Sequence, residues 1–224
     1  MLFRSARVLE TALRDAARRR GLEERSATVV GFVSGAAGVS GVHLADGTHI
    51  GATSVLVAGG AWTRPLAAAS GIELGVVPQR GQIAHFAVED PTVGDWPVVA
   101  PLAHNYLLAF PGRVVAGATR ESDAGFDARV TAAGVQRVVD DALRVAPGLA
   151  DTTLLEVRVG LRPVAERGYP LLGAVAGFPG LFVATGHGAS GLTLGPWSGW
   201  AVAASAIGSE HAAELDAFSP LPSR

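Results

Sequence analysis

Apolar runs broken by glycine and proline dominate both ends of the chain, whereas its middle alternates apolar and polar residues. After Ser5, a helix-capping residue, Val8, Leu9, Ala12, Leu13 and Ala16 recur at helical spacing, and Arg18-Arg19-Arg20 with Gly21 suit the helix end. Residues 27–33 predict a strand. Residues 42–45 and 48–50 flank Asp46-Gly47, a two-residue hairpin signal. Residues 54–58 form a nearly continuous apolar strand running into Gly59-Gly60-Ala61-Trp62. In the middle, Pro78-Gln79-Arg80-Gly81-Gln82 leads an alternating stretch, and residues 96–101 make a short apolar run. Residues 106–110 and 113–117 pair around Pro111-Gly112 as antiparallel strands. Thr131 caps a second helix (Val135, Val138, Val139, Ala142, Leu143) that Pro147-Gly148 ends. Residues 154–161 predict a strand ending in Arg162-Pro163, and residues 169–175 lead into the last long stretch. There a buried strand at 181–185 meets a glycine-rich turn at 186–191 and then a helix of small residues.

This texture predicts a mixed α/β (α+β) protein: an α/β layer formed by the two ends, residues 1–75 and 158–224, with an antiparallel sheet domain, residues 76–157, inserted into it. Composition narrows the class. With 224 residues and 49% hydrophobic against 17% charged, the chain can bury a large core. No uninterrupted apolar run reaches the roughly 18 residues of a membrane span, and a net charge of −2 without a basic face argues against nucleic acid. The absence of cysteine removes disulfides, thiolate metal sites and cysteinyl cofactor links. With no signal-peptide pattern after Met1, the expected compartment is the cytoplasm.

Two places carry chemistry. A glycine-rich turn between strand and helix aims backbone N–H groups and the positive end of a helix dipole at one point, a cradle for an anionic or electron-rich ligand. Gly186, His187, Gly188, Gly191, Leu192 and Thr193 form it. The second place is Arg162. A guanidinium at the end of a buried strand offers a planar fork to a carboxylate, and an ion pair with Glu156 or Glu166 is the structural alternative. Ser190 does not make a hydrolase elbow, because residues 188–192 fail the G-x-S-x-G spacing. His187, between glycines, reads as a turn residue with a contact role, and no catalytic base is assigned. His85 and His104 read as sheet-surface residues, and no His, Asp and Glu cluster has metal-ligand spacing.

Taken together, several segments resemble the FAD-dependent oxidases of the D-amino-acid oxidase and glycine oxidase type. They are residues 55–62 (VLVAGGAW), 78–82 (PQRGQ), 117–121 (GATRE) with 125–127 (GFD) and 131–135 (TAAGV), then 160–163 (GLRP), 170–173 (PLLG), 186–188 (GHG) and 191–196 (GLTLGP), in the family's order. The resemblance implies a partial Rossmann-like FAD-binding layer and an inserted substrate sheet. It implies non-covalent FAD, contacted by the backbone of Val30 near the adenine, by Gly59, Gly60 and Trp62, and by the turn and helix start around Gly186–Thr193. It implies that Arg162 clamps a substrate carboxylate, with the Tyr106 hydroxyl sharing it. The expected reaction is oxidation of the C–N bond of a small amino acid or amine (glycine, sarcosine or a D-amino acid) to an imine, with hydride passing to flavin and then to oxygen.

One departure stands out. The family's N-terminal βαβ unit with G-x-G-x-x-G is not found; the letters recur at residues 186–191, which match its C-terminal turn instead. The alternative expectation is therefore a non-catalytic fragment, or a subunit completed by a homo-oligomer or a complementary FAD-binding chain and colourless when isolated. Neither nucleic acid nor membrane is expected as a partner.

Overall fold

A computed structural model describes residues 5–101, 105–209 and 215–220; His104 lies outside them. The chain divides into two compact units, Met1–Val77 with Pro163–Arg224, and Pro78–Arg162.

The first unit opens with helix α1 (Ala6–Arg18), whose N-cap Ser5 accepts a hydrogen bond from the Val8 amide. Three antiparallel strands follow: β1 (Val29–Gly35), β2 (Gly38–Leu44) and β3 (His49–Gly51), the last two joined through Asp46-Gly47. The Asp46 carboxylate accepts from the amide and hydroxyl of Thr48, which closes that turn. Strand β4 (Val55–Val57) leads through a short 3-10 turn, Gly60–Trp62, into helix α2 (Thr63–Ala68). Beyond the inserted unit the chain returns as β9 (Leu171–Ala174), β10 (Leu181–Thr185) and helix α4 (Gly191–Ala206). Strand β10 lies between β4, parallel to it, and β9, antiparallel. Leu181 and Val183 of β10, Val57 of β4, Phe32, Val39, Ile72, Leu74 and Val76 make one buried core. Ala201 and Val202 of α4 bury against Leu172 and Leu215. Helix α1 has the apolar stripe its spacing predicts, yet none of its residues is buried, and Val8 and Leu13 are half exposed.

The second unit contains most of β5 (Val76–Ala87), then β6 (Tyr106–Phe110), β7 (Arg113–Gly117), helix α3 (Ala132–Val145) and β8 (Leu154–Ala165), with strand order β6-β7-β5-β8. Thr131 caps α3 by accepting from the Gly134 amide, as its position predicts. Ala84, Phe86, Val114, Ala116, Val138, Ala142 and Leu149 make the second core.

Two expectations need correction. Strand β8 continues to Ala165, so Arg162 lies within a strand and not at its end. Just past Pro163 the strand makes a further antiparallel bridge, from Val164 to His187. The short apolar run at 96–101 makes one bridge, from Val99 to Leu107. His85, expected on a sheet surface, is buried, because β5 is an inner strand covered on both faces at residues 84–86.

Leu181 is 1% exposed at the centre of the first core. Leu181→Ala should destabilise that unit by about 2–5 kcal/mol, through lost transfer energy and a residual cavity. A fall in the urea midpoint of at least that size in free energy is the expected readout.

Candidate functional site

In the first unit the two glycine segments meet at the carboxyl ends of parallel β4 and β10, where open α/β sheets bind ligands. Thr185, the last residue of β10, holds them together: its hydroxyl donates to the Gly60 carbonyl at 3.1 Å and accepts from the Thr63 hydroxyl at 3.3 Å. Gly186 follows at φ +81°, and a Cβ there would sit 2.9 Å from the Ala165 Cβ, so only glycine turns the chain here. Helix α4 starts at Gly191 with no side chain capping it and no acid in its first turn. The amides of Leu192 and Thr193 and the positive end of the dipole are thus left for a ligand. Gly191, Leu192, Gly195 and Pro196 border a groove of about 610 Å³ whose other wall is α1, with Leu9 and Leu13. Trp62 stands 58% exposed beside Gly60, while Val30 is exposed on β1.

His187 is fixed by Ser198. The buried Ser198 hydroxyl hydrogen-bonds His187 Nε2 at 2.7 Å and lies 2.9 Å from the Leu194 carbonyl. Burial lowers the His187 pKa and favours the neutral ring.

In the second unit Arg162 and Tyr106 come together. Arg162 Nη1 donates to the Thr119 carbonyl at 2.9 Å, and the guanidinium lies against Gly81, where any Cβ would collide with it. Tyr106 faces Gly117 across β6 and β7 and is close enough to influence the Arg162 charge. Burial lowers the Arg162 pKa, the Tyr106 phenol opposes that shift, and Arg120 adds to it. Burial likewise raises the Tyr106 pKa, with Arg162 opposing. Both carboxylates weighed as structural partners are engaged elsewhere. Glu156 pairs with Arg158 and Arg113, and Glu166 with Arg64 at 2.8 Å. Among the described residues Arg162 makes no ion pair.

A buried network behind Arg162 went unrecognised in the sequence. Thr119 donates its hydroxyl to Glu121 at 2.6 Å and accepts from the Gln82 amide at 2.9 Å. Gln82, wholly buried, donates to Glu121 and to Thr131, and Arg80 bridges Glu121 and Asp127. Burial opposes ionisation of Glu121, but bonds from Thr119, Gln82 and Arg80 outweigh it and hold the carboxyl below its usual range. The polar residues of the 78–82 and 117–121 motifs were its only signal. Among the described residues no group of three or more His, Cys, Asp and Glu could hold a metal, and no helix is long and apolar enough to cross a membrane.

This mixed α/β architecture with antiparallel sheets is that of FAD-dependent oxidase domains. The chain belongs to the FAD dependent oxidoreductase (DAO) family, which it matches over residues 4–205. It is 43% identical over 206 residues to the uncharacterized oxidoreductase YurR of Bacillus subtilis (strain 168), covering 88% of this chain and 55% of that protein. It is 32% identical over 170 residues to a glycine oxidase of Pseudomonas putida KT2440, covering 76% and 46%. The crystal structure of iminodiacetate oxidase from Chelativorans sp. BNC1 superposes with a TM-score of 0.91 at 38% identity, covering 97% of this chain and 59% of that one. The chain thus spans about half the length of the curated relatives it matches.

Because the folded pKa of His187 lies below its ordinary 6.5, the unfolded state binds the extra proton first. The stability of the first unit should therefore fall as pH drops below about 6.5 and level off below the folded value. His187→Gln should lose that part of the slope in urea midpoints measured between pH 7.5 and 5.

Proposed function

We propose that this chain carries the substrate clamp and part of the cofactor cradle of an FAD-dependent enzyme. The enzyme oxidises the C–N bond of a small amino acid, of the glycine, sarcosine or D-amino-acid type, to an imine. The observation that carries this reading is Arg162: a half-buried guanidinium without a carboxylate partner among the described residues, beside a tyrosine hydroxyl. A guanidinium takes a carboxylate in two parallel bonds, and Tyr106 adds a neutral donor at the same group. Family membership and the glycine oxidase relative support the reaction class.

The first unit fits a flavin cofactor because its helix start is uncapped and acid-free and its turn begins at Gly186, where a Cβ would collide with Ala165. Gly59, Gly60, Trp62, Gly186, His187, Gly188 and Gly191 would line it, the amides of Leu192 and Thr193 would meet its electron-rich end, and the Val30 backbone would lie near its adenine. Bound FAD supplies the hydride acceptor and passes the electrons to oxygen. The chain's own residues orient the substrate: Arg162 fixes the carboxylate, so the Cα–H and the neutral amine keep one orientation, and no side chain is needed as base. The domains follow this division, a cofactor part in the first unit and a substrate sheet in the second.

A second reading is favoured by exposed Leu56, Trp197 and Trp200. In it the chain works only with a complementary FAD-binding chain or a second copy.

The test is FAD titration followed by peroxide release on glycine, sarcosine and D-alanine. Flavin binding with peroxide supports the first reading, and a colourless chain without turnover favours the second. Arg162→Met should keep flavin absorbance yet weaken substrate binding by about 30-fold or more, the loss expected when one partner of a desolvated charge pair is removed. Unchanged KM would remove Arg162 from the site.

A further inference from the structure

In the second unit, Arg80, Arg113, Arg129, Arg144 and Arg158 each reach a carboxylate. Arg120, Arg137 and Arg162 make no ion pair among the described residues, and Arg137 is an exposed residue of α3. The other two are neighbours. Arg162 donates to the carbonyl of Thr119, and Arg120 is the next residue, exposed, its charge near enough to act on Arg162. Two like charges repel, and among the described residues neither has an acid as ion-pair partner: Glu121, next in sequence to Arg120, is held by Arg80, Gln82 and Thr119. One carboxylate on Arg162 would leave the Arg120 charge unmatched; a second carboxylate a few bonds away would neutralise it.

We propose that Arg120 forms a second carboxylate subsite, so that the substrate class is an amino or imino dicarboxylate, one carboxylate on Arg162 and the other on Arg120. This rests on the assignment of Arg162 as the carboxylate clamp and narrows what that clamp accepts. Arg120 is a specificity determinant here: it sets which substrates bind, while Arg162 holds the group they all share. A guanidinium suits the role, since its planar fork can take a carboxylate in two bonds even where water reaches it.

Isothermal titration calorimetry on the full chain, with and without FAD, tests this without turnover. The probes are iminodiacetate, N-methylglycine (the same amine with one carboxylate) and inorganic phosphate. Iminodiacetate should bind at least about tenfold more tightly than N-methylglycine, the range of one charge-assisted hydrogen-bonding contact. Arg120→Gln, a change at an exposed side chain with no bond to lose, should erase that preference and leave N-methylglycine binding within about twofold. Arg162→Met should weaken both amines. Equal binding of the two amines to the unaltered chain, or a preference that survives Arg120→Gln, overturns the second subsite alone. Phosphate binding as tightly as iminodiacetate and displacing it overturns it in favour of a general oxyanion site. Failure of both amines to bind under either condition overturns the Arg162 clamp itself, and the subsite with it.

Discussion

A positive charge that, among the described residues, pairs with no carboxylate is the constraint around which the second unit is arranged. Taking a guanidinium partly out of water is costly, and proteins normally offset that cost with an acid. Here the acids are turned away. Glu121 is bound by Thr119, Gln82 and Arg80, Asp127 by Arg80 and Arg129, and Glu156 by Arg113 and Arg158. What Arg162 receives is one backbone carbonyl, from Thr119, and a bare glycine surface at Gly81. Thr119 is in turn clasped by Gln82 and Glu121, so the donor's orientation depends on a hydrogen-bond network that starts at Arg80 and reaches the cap of α3 through Thr131. A charge kept in that state is stabilised most by an anion from solution.

The first unit uses no side-chain charge for its counterpart task. Two strands end side by side, one threonine hydroxyl links the ends, and the glycines beyond them leave backbone N–H groups and a helix dipole in place of cations. Such a surface suits a group whose negative charge is spread out and appears only on reduction, because fixed dipoles stabilise it without a neutralising partner. The His187–Ser198 bond belongs to the same economy of means. It orients the ring with one hydroxyl from the next helical turns, and burial favours the neutral ring.

Local chemistry was legible where a pattern and its cap or turn agreed. Tyr106–Phe110 and Arg113–Gly117 alternate around Pro111-Gly112, and they pair in that register. Thr131 and Ser5 cap the helices their spacing announces. Two things were not legible. They are the continuation of β8 past Pro163, where Val164 bridges to His187, and the burial of His85, which depends on β5 being an inner strand. Neither fact has a signature in the neighbouring residues. The amphipathic stripe of α1 was legible, but not its lack of burial, since periodicity states which face is apolar and never what covers it.

The residues alone therefore determined the element types, the order α/β–antiparallel sheet–α/β, and the family, because these follow from periodicity, turn residues and short motifs read along the chain. Only the tertiary structure decided that Glu156 and Glu166 are engaged by other arginines, that Thr119 and Gln82 stand behind Arg162, and that Thr185 joins the two glycine segments. Those are choices among partners distant in sequence. Local composition is blind to them, since several arginines and several acids could pair in many ways, and the backbone path alone selects which do.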